Sequence, residues 1–502
     1  MSDSFIPAVN SLSRVFLING RAHPENEPSF ESCLKMMGID HSLGDVTRIE
    51  CPDPNTPGKF VEGGTIKGSD ERATTQLVGR YAIDLRSTLI DLAKQGCPVD
   101  VQLHLGKCQD LSDFSSFSKV LILEDVLATN VGTDDLGALS SDEQAVVNET
   151  LDISIGNYYE YLPIGFQERG GSVITNEIID VVICDSISCG DCEDPSAGCD
   201  KIYSVTLAAG GSPGTPADVV FSIDGGHTIY ADDVDTLGAA ENPTGIACLT
   251  KYIVVISNDS ASLHYALKAD FNGIDDPEFT EVATGFAAGG EPNDIWSIGT
   301  LAFICGDGGY VYKTTDPTTG VTFVEDGEAV TDNLNAIHAL SKDSAVAVGD
   351  NGAVIYTEGN DIWQETIARP VGVAVELTAV AMRSKDLWLV GSDGGQVFYT
   401  KNKGETWTEI TFPGSGAGVV RDLDIPSDSI VLLAHDTATP AGRILISLSG
   451  GESFYVLPEG SGTIPANDQI NAVYGCREKP GFMAGVGLAD NGTDGIFVVG
   501  QD

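Results

Sequence analysis

The hydrophobic and polar positions of this chain form short apolar runs separated by turn residues. In the second half, β-branched and aromatic runs alternate with clusters of Gly, Asp, Asn and Ser, which predicts short strands joined by tight turns. The segments GDGGYVYKTT, GDNGAVIYTE and GSDGGQVFYT are copies of one another. Their equivalent glycines recur every 43 residues, at Gly309, Gly352 and Gly395. A period of about 40–45 residues with several strands per repeat predicts the blades of a β-propeller.

Seven candidate blades follow one another along the chain. They contain residues 201–226, 245–269, 292–330, 333–373, 376–416, 419–463 and 469–502. The last candidate has only three strand-like runs, so it lacks one strand of a four-stranded blade. The segment SVITNEIIDVVIC, residues 172–184, is a strand without a blade of its own. We expect it to pair as the outer strand of the last blade, because this closes the ring and removes an exposed edge.

Three turns in the repeats share a motif, SIDGGHTI, TKNKGETW and SLSGGESF. They resemble the Asp-box, or sialidase-type repeat, Ser-x-Asp-x-Gly-x-Thr-Trp, although only one copy keeps the Asp. A short polar side chain caps such a turn, the Gly takes a positive φ, and the final aromatic residue packs between blades. We therefore expect a structural role for the turn residues Asp224, Gly226, Gly404, Trp407 and Gly451, and for the repeat glycines given above.

The first 170 residues have a different pattern. Several strand-like runs are separated by Gly, Pro and Asp turns, and one helix is predicted over Asp84–Gln95, where leucines recur at helical spacing. The chain is thus predicted to be mainly β, with an N-terminal β-sandwich or barrel and a flanking α-helix followed by a seven-bladed propeller. The predicted domains are 1–170, a Cys-rich connector with the closing strand at 171–200, and the propeller at 201–502.

The chain is strongly acidic. It has 27 Lys and Arg against 74 Asp and Glu, a formal net charge of −47, and residues 172–502 hold 14 basic and 48 acidic residues. This field repels nucleic acids and anionic membranes, which argues against specific nucleic-acid binding. It is typical either of a protein from a salt-rich setting or of a surface that must not bind a nearby polyanion. We expect neither a signal peptide nor a membrane span, because no sufficiently long apolar stretch occurs.

Catalytic motifs are absent from the sequence. It contains no G-x-S-x-G, P-loop or H-E-x-x-H motif, and its seven histidines are dispersed. A sialidase needs an arginine cluster that binds a carboxylate, whereas residues 172–502 contain only five arginines. We therefore expect no catalytic site and no enzymatic activity.

The cysteine cluster Cys184, Cys189, Cys192 and Cys199 is the most specific local signal besides the repeat. Four sulfurs within 16 residues could form a tetrahedral zinc site, but two local disulfides or free thiols are the favoured alternative. Pairing within the first domain is open to Cys33, Cys51, Cys97 and Cys108, while Cys248, Cys305 and Cys476 are predicted to be small buried apolar residues. The acidic runs 231–235 and 273–278 are predicted to be solvated loops, with weak Ca²⁺ binding as the alternative. No cofactor is otherwise expected.

Residues 1–170 resemble the major tail or tail tube proteins of tailed bacteriophages. The resemblance rests on SRVFLINGRA (13–22), residues 44–85, DVQLHLGKCQDLSDF (100–114) and residues 123–154. The Cys-rich segment followed by a propeller is also similar to longer members of this group. The resemblance implies a β-sandwich that assembles into stacked, hexameric rings around a channel through which DNA passes without specific binding.

The function implied by this resemblance is that of a structural virion protein, made in the host cytoplasm and located in the tail. Its partners would be further copies of itself, other tail proteins and, through an external propeller used for decoration or bracing, host surface glycans. The alternative is a non-enzymatic propeller binding module, either lectin-like or an assembly-factor-like scaffold.

Overall fold

The chain consists of two compact units, Met1–Pro163 together with Asp502, and Ile164–Gln501. The computed structural model describes backbone strands between residues 13 and 169 and most of the chain after them. From residue 174 on, the described residues are 174, 176–184, 199–207, 217–232, 242–258, 261–273, 277–282, 285–326, 329–370, 375–427, 430–437, 442–447, 450–451, 454–456, 468–477, 482–489 and 494–500. The predicted helix Asp84–Gln95 lies outside the described residues.

Ten strands are described in the first unit. They are β1 Ser13–Asn19, β2 Phe30–Met36, β3 Asp40–Ser42, β4 Glu50–Pro52, β5 Phe60–Glu62, β6 Arg72–Arg80, β7 Val99–Gly106, β8 Phe117–Thr133, β9 Asn148–Ile155 and β10 Asn157–Tyr161. The long strand β8 pairs with β7 along one edge and with β9 and β10 along the other. Since β9 also pairs with β6, the antiparallel path β8-β7-β1-β2-β6-β9 returns to β8. Such a path is that of a closed barrel, while the resemblance to tail tube proteins stays a prediction.

The second unit is a seven-bladed β-propeller, as the 43-residue repeat predicts. Each blade is a four-stranded antiparallel sheet. In blades 1 to 6 the strands are named in order from the innermost to the outermost. Blade 1 contains β12 Ile178–Ile183, β13 Ile202–Thr206, β14 Val219–Ser222 and β15 Tyr230–Asp232; blade 2 contains β16 Pro243–Cys248, β17 Tyr252–Ser257, β18 Ser262–Leu267 and β19 Thr280–Val282.

The next four blades follow the same order. Blade 3 contains β20 Pro292–Ile298, β21 Leu301–Gly306, β22 Tyr310–Thr314 and β23 Thr322–Asp326, and blade 4 contains β24 Leu334–Ser341, β25 Ser344–Gly349, β26 Val354–Thr357 and β27 Trp363–Glu365. Blade 5 contains β28 Leu377–Met382, β29 Trp388–Ser392, β30 Val397–Thr400 and β31 Thr408–Ile410, and blade 6 contains β32 Val419–Asp424, β33 Val431–Asp436, β34 Gly442–Ser447 and β35 Tyr455–Val456. Short 3₁₀ turns span Lys268–Asp270, Asp307–Gly309, Pro317–Thr319 and Asp350–Gly352.

Blade 7 is closed by a strand that precedes the repeats. It contains β36 Gln469–Gly475, β37 Met483–Leu488 and β38 Gly495–Gly500, and its outermost strand is β11, Phe166–Arg169. The prediction that residues 172–184 provide this strand is wrong, because Ile178–Ile183 forms the inner strand of blade 1. An inner strand is covered on both faces, which the mostly buried sequence IIDVVI satisfies. The sequence FQER has one apolar residue followed by three polar or charged ones, as suits an outer edge.

Each inner strand carries a β-bulge near its start, where the register shifts against the second strand. We call the extra residue of each strand its bulge residue: Ile179, Thr244, Asn293, Asn335, Thr378, Arg421 and Asn471 in blades 1 to 7. Five of them donate a side-chain hydrogen bond to an inner-strand carbonyl of the following blade. Bulges re-aim side chains, and here they direct donors across five blade interfaces.

Two disulfide bonds link blade 1 to its neighbours, blades 2 and 7. Cys184 at the end of β12 is bonded to Cys248 at the end of β16, and Cys199 is bonded to Cys476, which follows β36. The second bond spans 277 residues and crosses the interface where the ring closes. The prediction of local disulfides within 184–199 is therefore wrong at both described cysteines, because their partners lie in other blades.

The predicted turn residues lie between strands of the blades. The glycines Gly309, Gly352 and Gly395 follow the second strands of blades 3, 4 and 5 and have φ of 81°, 70° and 68°. The glycines of the second motif lie between the third and fourth strands, and their φ values are 83° at Gly226, 76° at Gly404 and 99° at Gly451.

Side chains fasten these motif turns in the same way in blades 1 and 5. Ser222 Oγ accepts from the Gly226 amide at 2.8 Å, and Thr400 Oγ1 accepts from the Gly404 amide at 2.9 Å. The third motif residue then caps the turn, since Asp224 Oδ1 accepts from the Thr228 amide at 2.8 Å. Trp407 reaches the neighbouring blade, where its indole donates to the Ala368 carbonyl at 2.8 Å. These contacts are structural.

Candidate functional site at the propeller axis

Three aspartates project from the inner strands near the propeller axis. Asp180, Asp294 and Asp422 each follow the bulge residue of their strand, in blades 1, 3 and 6. In each, Oδ1 accepts from the amide of the next residue, at 2.7–2.8 Å. Oδ2 accepts from an inner-strand amide of the following blade, at 2.8 Å for Asp180, 2.7 Å for Asp294 and 2.9 Å for Asp422. We call these three residues the aspartate triad.

The triad is electrostatically coupled. Burial is the main cause that raises the pKa of each of the three carboxyls to about 7. Repulsion contributes as well, from Asp294 on Asp180, from Asp422 on Asp294 and from Asp180 on Asp422. The amide hydrogen bonds act in the opposite direction by stabilising the charged form. Near neutral pH the triad is therefore partly protonated, and a cation among its members would favour full ionisation.

A second level of side chains lies two residues further along the inner strands. Trp296 of blade 3 packs against His338 of blade 4 with ring centroids 4.0 Å apart and the rings tilted by 32°. It also stacks on Tyr474 of blade 7, with ring centroids 5.8 Å apart. Its indole donates to the Ala339 carbonyl at 3.1 Å. Blades 3 and 7 lie on different sides of the ring, so the contact between their side chains obstructs the channel. We call Trp296, His338 and Tyr474 the aromatic plug.

A buried ion pair completes this level. The Arg477 guanidinium binds both carboxylate oxygens of Asp424, with Nη1 donating to Oδ2 at 3.1 Å and Nη2 donating to Oδ1. Arg477 also lies over the rings of Tyr474 and Trp296, at 4.3 Å and 5.2 Å from the centroids. Burial raises the pKa of Asp424, and Arg477 counteracts this rise. The ion pair therefore holds the aromatic plug in place.

A cavity of about 50 Å³ lies between the triad and the plug. Its lining includes all three triad residues, Trp296 and Tyr474, and apolar side chains of the inner strands. The triad residues and Trp296 are partly exposed, whereas His338 and Tyr474 are 4% and 5% exposed. Trp296 and Tyr474 both line the cavity, so the plug forms its floor.

Carboxylates also surround the entrance on the triad side. They lie just before the inner strands or in the turns between second and third strands, and they are at least partly exposed. We call them the acidic rim: Glu177, Glu291, Asp307, Asp332, Asp350, Glu376 and Asp393. Bulge residues hold several of them, as Asn293 donates to Asp307 at 2.8 Å and Asn471 to Glu177 at 2.9 Å. Burial, together with repulsion from Asp350 and Asp393, raises the pKa of Glu376.

Two arginines near the rim are already engaged by acidic partners. Arg369 contacts Asp332 at 3.1 Å and Glu365 at 2.8 Å. The bulge residue Arg421 donates to Asp436 at 2.7 Å. These pairs leave the rim with an excess of negative charge.

Two of the four predicted zinc ligands are engaged in disulfide bonds. Cys184 and Cys199 are oxidised in disulfides with cysteines of different blades, so neither is available as a thiolate ligand. Cys189 and Cys192 lie outside the described residues, as do parts of both acidic runs considered for Ca²⁺. Among the residues that the structure describes, no group of three or more His, Cys, Asp or Glu side chains is arranged to hold a metal ion.

The axial residues were not predicted from the sequence, although a signal was present. The bulge residue is Asn or Thr in five of the seven blades, and a small residue or Asp follows it in every blade, in phase with the repeat. The segments PNDIW, LNAIH and INAVY show this pattern at the start of inner strands. An alignment of the repeats on the strand starts instead of the glycine turns would have placed Asp180, Asp294 and Asp422 at one level.

Comparisons with solved structures concern the propeller. The chain is similar to YCF48 bound to D1 peptide, with a TM-score of 0.48, 14% identity, and coverage of 68% of this chain and 98% of that chain. It is similar to the WD40 β-propeller domain of Doa1, with a TM-score of 0.48, 13% identity, and coverage of 67% of this chain and 98% of that chain. It is also similar to Chaetomium thermophilum Sqt1 bound to the N-terminus of the ribosomal protein L10, with a TM-score of 0.44, 12% identity, and coverage of 64% of this chain and 84% of that chain. No family model and no curated protein matches the chain.

No helix in the part of the chain that the structure describes is long and apolar enough to cross a membrane.

Proposed function

We propose that the propeller unit is a non-enzymatic binding module whose acidic rim and axial cavity receive a basic segment of a protein partner. The observation that carries this proposal is the placement of the partly exposed aspartate triad directly below the acidic rim. Two levels of carboxylates then face the same entrance, where a basic segment would reduce their mutual repulsion. This is the binding-module alternative of the sequence analysis, with the partner's chemistry made explicit.

Two arrangements that could suggest catalysis are inaccessible to a substrate. Ser262 Oγ lies 2.9 Å from His264 Nε2, a distance suited to a nucleophile and its base, but both side chains, on β18 of blade 2, are fully buried. Cys305 is a free, fully buried thiol whose pKa is raised well above its ordinary value by burial. A protonated, buried thiol is not a nucleophile. Both observations support a binding role.

The charge distribution limits the class of partner. Residues 172–502 carry 34 more acidic than basic residues, so nucleic acids and anionic membranes are repelled. A partner segment rich in Lys and Arg has the complementary charge. We expect its association rate to fall steeply with salt, because rim charges mainly steer encounter.

The test uses the full chain and a fluorescein-labelled ten-residue peptide of alternating Arg, Lys and Gly. We expect saturable binding by fluorescence anisotropy, and about a tenfold loss in the rim variant Glu291→Gln/Glu376→Gln/Asp393→Asn. The matched control is Glu358→Gln/Asp361→Asn/Glu405→Gln, which removes the same charge at the opposite end of the blades. Equal affinities of the two triple variants, or no binding by the wild type, would contradict the proposal.

For the first unit we propose self-assembly, based on the sequence resemblance of residues 1–170 to tail tube proteins. The location in a virion tail rests on the same resemblance. Negative-stain microscopy and light scattering of the concentrated full chain test this, since a tube subunit forms rings or filaments. A chain that stays monomeric at high concentration contradicts it.

A further inference from the structure

The axial cavity differs from the acidic rim because it has a floor and a defined size. The aromatic plug closes it below the triad, with Trp296 and Tyr474 among the lining residues. Its volume of about 50 Å³ has room for about four water-sized groups. A group that enters past the rim therefore stops at the level of Trp296, surrounded by carboxylates from three different blades.

The triad can accept further hydrogen bonds. Each oxygen of Asp180, Asp294 and Asp422 already accepts one backbone N–H, and a carboxylate oxygen has two acceptor sites. The backbone contacts fix the position of all three side chains without using up their acceptor capacity. The cavity thus presents preorganised acceptors in a confined, partly desolvated site, where charge-assisted hydrogen bonds are strongest.

His338 provides an independent sign of a missing polar partner. It is 4% exposed, and neither of its ring nitrogens has a hydrogen-bond partner in the structure. Burial and the nearby Arg477 lower the pKa of His338 well below its ordinary value, so the ring is neutral. Buried polar atoms are rarely left without a partner. The imidazole packs at 4.0 Å against Trp296, which lines the cavity, so the unpartnered nitrogens of His338 lie at the level of the floor and not among the lining residues.

We infer that the axial cavity is a recognition pocket for the guanidinium group of one arginine side chain. The inference rests on the proposed function in that the arginine belongs to the basic segment of the partner. A guanidinium has four non-hydrogen atoms, which matches the room in the cavity. Its five N–H donors radiate in one plane and suit acceptors that converge from blades 1, 3 and 6.

Other cations fit the cavity less well. An ammonium group has three donors clustered on one atom and reaches fewer of the separated carboxylates. The described side chains also lack the spacing for direct metal coordination. The cavity therefore selects arginine over lysine, whereas the rim attracts both.

The occupied pocket is coupled to protons. Asp180, Asp294 and Asp422 face one another, Asp422 also faces Asp424, and Arg477 neutralises Asp424. An entering guanidinium ionises the partly protonated triad and releases protons. We expect the affinity for an arginine side chain to rise about tenfold between pH 6 and pH 8.

The experiment titrates N-acetyl-arginine methylamide into the full chain by calorimetry at pH 8, with the lysine analogue as the matched ligand. We expect a dissociation constant of about 1–10 mM for the arginine compound and at least about fivefold weaker binding of the lysine compound. Asp294→Asn and Asp422→Asn should each weaken binding about tenfold. Asp180→Asn, which changes the third member of the triad in the same way, serves as a further variant in case one of these Asn variants does not fold.

The experiments distinguish a failure of the arginine pocket from a failure of the proposed binding module. The rim variant should bind the arginine compound within about twofold of the wild type, because it leaves the cavity intact. One outcome contradicts the pocket but not the binding module. In that outcome the labelled peptide binds in a way that depends on the rim, while the arginine compound shows no saturable binding up to ~50 mM. Equal affinities for the arginine and lysine compounds also contradict the pocket. So do wild-type affinities in the folded Asp294→Asn, Asp422→Asn and Asp180→Asn variants.

Discussion

Trp296 and Tyr474 stack near the propeller axis with ring centroids 5.8 Å apart and an interplanar angle of 25°. They occupy the same position after the bulge residue in blades 3 and 7, which are 178 residues apart in the chain. Their contact turns a channel into a cavity with a floor. A binding site at the axis therefore depends on side chains from several blades held at one level.

The aspartate triad should make the stability of the propeller depend on pH. The pKa of Asp294 is about 7 in the folded protein and about 4 in the unfolded chain. Between these values the folded state binds more protons, so the free energy of unfolding falls as the pH rises. We expect Tm to be lower at pH 8 than at pH 5, and Asp294→Asn to reduce this difference by roughly 5 °C.

The control for this prediction is Glu358→Gln, which removes one charge at an exposed position far from the axis. It should leave the pH dependence of Tm close to that of the wild type. Parallel melting profiles for Asp294→Asn and wild type from pH 5 to pH 8 would contradict the coupling.

Replacing only one residue of the ion pair between Asp424 and Arg477 should strongly lower the free energy of unfolding. The two side chains are 1% and 9% exposed. Arg477→Met leaves a buried carboxylate without its cation, and we expect a loss of about 3–5 kcal/mol in the free energy of unfolding. The double variant Asp424→Asn/Arg477→Met should lose less, because no uncompensated charge remains. Chemical denaturation measures both, and a double variant less stable than Arg477→Met would refute the argument.

The disulfide across the closing interface should stabilise the ring more than the other one. Cys199–Cys476 spans 277 residues and Cys184–Cys248 spans 64. If the bonds act mainly by restricting the unfolded chain, Cys199→Ala/Cys476→Ala costs about 1 kcal/mol more than Cys184→Ala/Cys248→Ala. Denaturation in urea compares the two double variants. A larger loss for the shorter loop would show that native packing at Cys248, and not chain entropy, dominates.

Gly404 and Gly416 form a matched pair for testing the motif turns. Their φ values are 76° and 78°, but a Cβ on Gly404 would lie 2.4 Å from Thr366 Cγ2, whereas one on Gly416 meets nothing within 4 Å. Gly416→Ala should cost about 1 kcal/mol from backbone strain alone. Gly404→Ala adds a clash with the preceding blade, and we expect about 2–4 kcal/mol in total. Similar losses for both variants in chemical denaturation would exclude a packing role for the Gly404 turn.

Some sequence predictions failed where long-range pairing decides the structure. β11 and β12 are both short, partly apolar runs before the first repeat, and only their neighbours in space make one an outer and the other an inner strand. The partner of Cys199 lies 277 residues away, so its local C-x₂-C surroundings were misleading. Asp180, Asp294 and Asp422 look like ordinary surface aspartates in the sequence.

The sequence by itself determined the propeller and its seven blades, because strand length and turn chemistry are local and recur with a fixed period. It also determined the excess of negative charge, which is a matter of composition. Only the tertiary structure decided which strand closes the ring, which cysteines pair, and which side chains meet at the axis. The physical reason is that ring closure brings equivalent positions of all seven repeats to one axis, so residues far apart in the chain form one site.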